Sequence, residues 1–331
     1  MKVVKVPKIK AEEVRRFAEK IGAKDKRRLI TFDGSFVYIP IYDGFERHFS
    51  EFEVVEDENP VFAKKYDIKR LAREKFSEDV SKGIVSFKVL GSLAIVKLEG
   101  KAREFGEKIG ELILETFPRL KAVWCDEGKE GMERKPKMTL LAGKGSVTVH
   151  KEHDCLLKVD VTKVMYSLGN QYEKLRVANL VKEGEIVLDM FAGIGYFTIP
   201  IANHSKAEKI YAFEINFDAY KLLLENLKLN KIRNVIAVNM DSRFTPEGFA
   251  DRVVMGHIFA EDFIEVAVRA LNGEGYIHYH ESVPEKIIER PIKRIEAICK
   301  KLNREVKILG MRKVKNYSPG VVHVVVDAYV R

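Results

Sequence analysis

Apolar residues Val14, Phe17, Ala18 and Ile21 recur at three- and four-residue spacing, which predicts an amphipathic helix over 11–22 that Gly22 ends. FVYIPIY at 36–42, bounded by Asp33-Gly34 and Asp43-Gly44, predicts a strand. Acidic residues 51–58 and Pro60 then read as a linker, so 1–62 is expected to be a small basic α+β domain. A helical stretch from about 64, strands at 84–89 and 93–98, a helix over 102–116 and strands near 121–125, 138–141 and 145–149 predict a middle α+β domain over 63–165. Over 166–331 the texture changes. Apolar runs EIVLDM (185–190), KIYAFE (209–214), NVIAVNM (234–240), DRVVM (251–255) and GYIHYH (275–280) alternate with amphipathic helices, which predicts βαβ units and a mostly parallel sheet covered on both faces. VVHVVVDAYV at 321–330 adds paired tail strands at the edge of that sheet.

Composition narrows the class. The chain has 331 residues, 46% hydrophobic and 32% charged, too apolar for disorder and long enough for two or three cores. Cys125, Cys155 and Cys299 are widely spaced and form no CxxC pair, so neither a metal knuckle nor a disulfide framework is expected, and a reducing, cytoplasmic setting fits. No run approaches the roughly 20 apolar residues of a membrane span, and lysines interleaved with valines in MKVVKVPKIK read unlike an export signal, so none is expected. The net charge of +9 is unevenly placed: residues 1–28 carry 11 basic and 4 acidic side chains, and residues 286–315 carry 11 and 3. These poles of +7 and +8 leave the remainder net acidic, which suggests a polyanion partner, although lysine-rich helices also serve solubility alone.

The strongest local motif follows the strand at 185–188: Asp189-Met190-Phe191-Ala192-Gly193-Ile194-Gly195. A strand turning on two glycines into a helix brings backbone N–H groups to a nucleotide-like ligand at the carboxyl edge of a parallel sheet. Thr198 stands where a dinucleotide fingerprint has its third glycine. Glu214, at the end of the second strand, is placed to accept both hydroxyls of a ribose, and Asp241 follows the third strand. Asp218 and Asp241 also read as ordinary helix caps.

The DxFxGxG pattern resembles the first motif of class I S-adenosylmethionine-dependent transferases, with a Rossmann-like catalytic domain. In that class the acid lies near the amino acid part of the cofactor, and the acid after the third strand often meets the adenine amino group. Further segments make the resemblance specific. VMYS at 164–167, EKLR at 173–176, DMFAGIGYFTIPIA, ENLKLN at 225–230, NMDSR at 239–243, MGH at 255–257, IHYHESVPEK at 277–286 and YSPGVVHVVVD at 317–327 resemble archaeal tRNA transferases that modify the guanosine 3′ of the anticodon. Two sister families share this pattern: tRNA guanine N1-methyltransferases, and enzymes of the wybutosine pathway that transfer an aminocarboxypropyl group to 4-demethylwyosine.

Three departures favour the second sister. Met255-Gly256-His257-Ile258 replaces an Asn-Leu-Pro-like segment, HYHE at 278–281 replaces HYY, and Ser167-Leu168-Gly169 replaces an Asn-Pro-Arg-like segment. The resemblance implies that Ser167, Lys174, Asp189, Phe191, Gly193, Gly195, Glu214, Asp241 and Ser242 form the S-adenosylmethionine site, with no metal. Lys174 stands where the family usually has arginine; it keeps the charge but not the bidentate fork. Carbon attack by the base leaves a proton to be lost. His257, after the fourth strand, is the candidate to take it, while His278 and His280, expected at a strand end, read equally as structural.

The first domain resembles the tRNA-elbow-binding domain of the methyltransferase sister. The implied function is aminocarboxypropyl transfer to tRNA(Phe) by a cytoplasmic monomer, with tRNA the partner and no membrane. The alternatives are methyl transfer to the same nucleotide, and a tRNA-binding protein that keeps the fold without catalysis. Tyr172 and Tyr196 are candidates to stack on a flipped base.

Overall fold

In a computed structural model, residues 1–62, 67–130, 135–166 and 170–331 are described. The chain divides into two compact units, Met1–Asp67 and Ile68–Arg331.

The first unit contains β1 (Lys2–Pro7), α1 (Ala11–Lys20), β2 (Thr31–Asp33), β3 (Phe36–Pro40) and β4 (Glu53–Glu56), with sheet order β2-β3-β1-β4. α1 buries Val14 and Ala18 against Val4, Val6, Ile39 and Phe49, and Gly22 at φ +73° turns the chain out of it. Val4 and Val6 face the core, while Lys2 and Lys5 pair with Glu56 and Glu53 of β4. Arg15 is likewise clasped by Glu12 and Glu19, and Arg28 is buried beside Asp25. Much of the N-terminal positive charge is therefore balanced within the unit.

The second unit opens with α2 (Ile68–Lys75), α3 (Glu78–Lys82), β5 (Ile84–Leu90), β6 (Leu93–Leu98), α4 (Gly106–Thr116), β7 (Ala122–Glu130), β8 (Lys135–Gly143), β9 (Val147–Glu152) and β10 (Cys155–Asp160). β5 to β8 form one sheet in chain order, with β6 and β7 parallel across the α4 crossover. His153 and Asp154, both at positive φ, make the tight turn of the β9–β10 hairpin.

After these come α5 (Gln171–Leu180), β11 (Ile186–Asp189), α6 (Thr198–His204), β12 (Lys209–Phe213), α7 (Phe217–Leu229), β13 (Val235–Val238), β14 (Ala250–Met255), α8 (Ile264–Ala270), β15 (Leu271–Pro284), α9 (Arg290–Lys301), β16 (Val306–Ser318) and β17 (Val321–Val330). The seven strands lie in the order β13-β12-β11-β14-β15-β17-β16, parallel through β15, with β17 antiparallel to both its neighbours. One face packs Val253, Ile277, Tyr279 and Val326 against Ile264, Ala267, Val268, Ile295 and Cys299 of α8 and α9. On the other face Val187, Ile210 and Val254 meet Val177, Ala178 and Ile201 of α5 and α6. Each such side chain contributes roughly 1.5–3 kcal/mol by burial, so truncating fully buried Leu188 to Ala costs about 2–5 kcal/mol.

The Asn226 and Asn230 amides of ENLKLN explain that motif. One turn apart on α7, they accept hydrogen bonds from the backbone N–H of Lys158 (2.7 Å) and Leu156 (2.8 Å), satisfying β10 groups that pair with no further described strand. Cys125, Cys155 and Cys299 are buried thiols with no disulfide.

Candidate active site

The carboxyl edge of the parallel strands gathers most of the residues singled out in the sequence. Asp189 ends β11, opposite Ala212 of β12 and Val254 of β14. Its side chain is fully buried and shapes the loop. One carboxylate oxygen accepts the Phe191 N–H (3.3 Å) and the other the Thr198 hydroxyl (2.7 Å). Burial raises its pKa to about 6, and the Thr198 hydrogen bond limits the rise. Thr198 thus replaces the third glycine with a hydroxyl that the acid needs.

The loop is locked from both sides, since Met190 N–H donates to Val254 O and Ala192 N–H to Phe213 O. Gly193 and Gly195 have φ of +57° and +102°, conformations that favour glycine. A Cβ on Gly193 would lie 2.4 Å from the Tyr196 ring, and one on Gly195 would lie 2.5 Å from Ile199. Glu214, just past β12, accepts the N–H of Gly193 and of Asn216, both at 2.7 Å. Asn216 in turn caps α7 through the N–H of Asp218 and Ala219. A carboxylate tied by one N–H contact to each of its oxygens keeps a fixed orientation and retains lone pairs for two ribose hydroxyls. Asp241, past β13, caps the short 3-10 turn Ser242–Phe244. Its pKa is lowered by the Arg243 side chain folded back on it, and Ser242 is buried. Of the two acids suspected as caps, Asp241 is one; Asp218 receives no cap role and pairs with Lys163 at 3.0 Å.

His257 follows β14, its ring 5.5 Å from Phe191 and 5.9 Å from Phe259. Gly256 beside it leaves room for Phe197, whose ring a Cβ would approach to 2.7 Å. His278 and His280 are interior to β15, which runs on to Pro284, and both are buried. Arg252 is a permanent donor to His278 Nε2 (2.7 Å), so Nδ1 carries the hydrogen and donates to Asp327 (2.6 Å). Asp327 also takes both terminal nitrogens of Arg176, at 2.8 and 2.9 Å. Burial works against its ionisation, but His278 and Arg176 hold it well below the usual carboxylate range. His280 bonds to His323 at 2.9 Å. These two histidines therefore belong to the packing of the sheet.

Lys174 lies in a second cluster. It is buried on α5 with its Nζ 3.0 Å from Glu152, over the rings of Tyr166 and Tyr196, and burial lowers its pKa. Tyr166 also donates to Glu152. The cluster meets the glycine loop through Tyr196, whose ring packs on Gly193. Ser167 lies outside the described residues. Sequence reasoning missed Glu152, the network joining Glu185, Arg252, His278, Asp327, Arg176 and Glu173, and the rings of Phe259, Phe263 and Tyr317. Only the Glu173/Arg176 pair, one helical turn apart, left a local signal.

A parallel sheet whose first strand ends in a glycine loop, with carboxylates after the next two strands, defines a Rossmann-like transferase site for an adenosine-bearing cofactor such as S-adenosylmethionine. The residues present suit such a group: rigid loop amides, an oriented carboxylate and a buried lysine. The TRM5/TYW2 methyltransferase domain matches residues 148–309, the TYW2 N-terminal domain residues 68–146, and the tRNA methyltransferase 5 N-terminal domain residues 4–49. The chain belongs to the TRM5/TYW2 family of tRNA-modifying transferases. It is 43% identical over 248 residues to the tRNA(Phe) (4-demethylwyosine(37)-C(7)) aminocarboxypropyltransferase of Methanocaldococcus jannaschii, covering 74% of this chain and 97% of that one. It is 34% identical over 331 residues to the Pyrococcus abyssi tRNA (guanine(37)-N(1))-methyltransferase Trm5b, covering 98% of this chain and 97% of that one. The crystal structure of P. horikoshii TYW2 in complex with MeSAdo superposes with a TM-score of 0.71 at 35% identity, covering 80% of this chain and 97% of that one. No helix among the described residues is long and apolar enough to cross a membrane, and no group of side chains among them is arranged to hold a metal ion.

Proposed function

We propose that this enzyme transfers the aminocarboxypropyl group of S-adenosylmethionine to C7 of 4-demethylwyosine at position 37 of tRNA(Phe), a step of wyosine-derivative synthesis. The observation that carries this reading is the 43% identity with the relative named for that reaction, across nearly its whole length. The Met255-Gly256-His257 segment, with no Asn-Pro element after β14, supports it.

The cofactor supplies a sulfonium whose three S–C bonds are all activated towards in-line displacement, so the carbon presented to the base decides which group moves. The new bond joins C7 to the methylene carbon, the bond from that carbon to sulfur breaks, methylthioadenosine leaves, and C7 loses a proton. We assign that proton to His257. Glu214 holds the ribose, Asp241 and Ser242 the adenine, and Phe191 with the Gly193 and Gly195 backbone lines the loop, while Asp189 keeps the loop in shape. Lys174 and Ser167 are assigned to the amino acid portion. There a lysine gives the carboxylate a point charge, and Glu152 beside it is of the sign to meet an ammonium.

The chain is read as three working modules, 1–62, 63–165 and 166–331, in a cytoplasmic monomer whose first module grips tRNA largely through phosphates. The alignment with a guanine-37 methyltransferase across 98% of the chain, first unit included, favours methyl transfer to the same nucleotide as a second reading. Incubation with tRNA bearing 4-demethylwyosine and cofactor labelled in either the carboxyl or the methyl group separates them. Carboxyl label in the tRNA is expected; methyl label alone replaces the first reading with the second.

A further inference from the structure

From the cofactor loop a row of aromatic rings crosses the carboxyl edge of the large sheet. It begins with Phe191 in the loop and passes to His257 after β14 (ring centroids 5.5 Å apart), to Phe259 (5.9 Å) and to Tyr317 at the end of β16 (6.4 Å). Phe263 buttresses the first ring at 5.0 Å and carries the Arg243 guanidinium over its own face at 5.5 Å.

The backbone fixes this row. β14 ends at Met255, opposite Tyr279, but β15 and β17 continue to the pair Pro284–Val321, and the β16–β17 hairpin goes with them. Tyr317 is thereby carried past the edge where β14 stops. Phe259 is held by its bridge to Glu281 and by the Ser282 N–H donating to Ile258 O (3.1 Å). Despite this anchoring, Phe259 is 48% exposed and Tyr317 is 41% exposed. Successive rings are steeply inclined, 67° between His257 and Phe259 and 90° between Phe259 and Tyr317. Perpendicular neighbours make corners in which a flat ligand can lay its face on one ring and its edge against the next. Tyr317 also lines a cleft of about 430 Å³ with Glu285, Lys313, Asn316 and Pro319, a size suited to a nucleotide, in which the Lys313 ammonium is paired with the Glu285 carboxylate at 3.0 Å.

Resting on the proposed function above, we infer that Phe259 and Tyr317 form the slot that receives the flipped base, and that they select the tricyclic base over unmodified guanine. The reacting carbon of the base must reach a cofactor held by the glycine loop, so the base lies at this edge, beside Phe191 and His257. A bicyclic purine placed there covers the near rings. The third fused ring extends the base towards Tyr317, meeting that ring edge-on while the face of the base lies on Phe259. The added contact with Tyr317 is what discriminates, since every base offers a π-face.

The test measures binding of two anticodon stem-loops, one with 4-demethylwyosine and one with guanosine at position 37, to the full chain by fluorescence anisotropy. Cofactor affinity is measured in parallel by calorimetry. The wild type should prefer the tricyclic stem-loop by about tenfold, equivalent to about 1.4 kcal/mol. Phe259→Ala and Tyr317→Ala should bring the ratio to about one, with cofactor binding within about twofold, and Tyr317→Phe should restore it. Both positions are half exposed, and Trp124 fluorescence verifies the fold of each variant. A ratio that survives both alanine variants, or equal loss for both stem-loops, overturns the slot. Equal binding of both stem-loops by the wild type overturns it as well. The label experiment is decided independently, because methyl label would sink the functional reading whatever these ratios are.

Discussion

Replacing Asp189 by Asn tests whether the cofactor loop carries a buried charge at the expense of stability. The carboxylate is fully buried and its pKa is raised from 3.8 to about 6 by desolvation, so the folded chain binds its proton more tightly than the unfolded chain does. Between those values the folded state holds more protons, and stability falls as pH rises through the window. At about 1.36 kcal/mol for each tenfold change in proton affinity, the ionised group costs about 3 kcal/mol at neutral pH. Asparagine removes that cost but cannot satisfy both donors, since its amide nitrogen must face either Phe191 N–H or the Thr198 hydroxyl; that loss is about 1 kcal/mol. The net expectation is a variant about 2 kcal/mol more stable than wild type at pH 7–8, with the gain shrinking as pH falls towards 4. Denaturant unfolding followed by Trp124 gives the readout. It is the chain's one tryptophan, packed in the same core as Ala192 and Ile194 of the loop. A difference that stays flat from pH 4.5 to 8, or a variant less stable at pH 8, would refute the reasoning.

Burial lowers the pKa of His323 from 6.5 to about 4, so its contribution is present above 6.5 and lost as pH falls through that window; His323→Phe should lessen the acid sensitivity of unfolding by up to about 3 kcal/mol between pH 7 and 4. Equal pH slopes in the two proteins would count against it. Glu214→Ala should weaken S-adenosylmethionine binding by about 1–3 kcal/mol in calorimetry, because it removes the proposed ribose acceptor and frees the Gly193 and Asn216 amides; unchanged affinity removes Glu214 from the site. Changing Lys8, Lys10, Lys20 and Lys26 to Gln, while sparing the ion-paired Lys2, Lys5, Arg15 and Arg28, should weaken tRNA binding and flatten its log–log salt slope by about 0.7–0.9 for each phosphate that is no longer neutralised. An unaltered slope would make the N-terminal charge a solvated face.

The parts of the fold legible in the sequence are those where burial acts on every residue. β11, β12 and β14 are covered by helices on both faces and read as apolar runs, and the turn between β11 and α6 declares itself through two glycines that adopt positive φ. β16 hid for the opposite reason. It is an edge strand with three register irregularities, at Ile308/Gly310, Lys313/Lys315 and Asn316/Ser318, so its apolar positions never alternate cleanly, and its lysines read only as charge. The charge count misled in a similar way. Arg290 and Arg294 both pair with buried Glu281, Lys301 with Glu265 and Lys313 with Glu285, so much of the C-terminal pole is neutralised locally. The Lys174–Glu152 pair spans a helix and a distant hairpin, and no periodicity announces a contact across 22 residues.

β17 follows every other described strand in the chain, yet its place is between β15 and β16, with both of its edges paired. Asp327 on this strand is the acceptor that Arg176 and His278 share. During synthesis, then, Arg176 of the helix before the first parallel strand and the histidine of β15 have their local partners Glu173 and Arg252 but lack their shared acceptor until this late segment emerges and inserts. The first unit, whose elements all lie within residues 1–67, has no such wait. A growing chain can therefore complete its first unit well before the catalytic sheet closes, and with the tRNA-gripping role proposed for that unit, the order of translation separates the ability to meet tRNA from the ability to modify it.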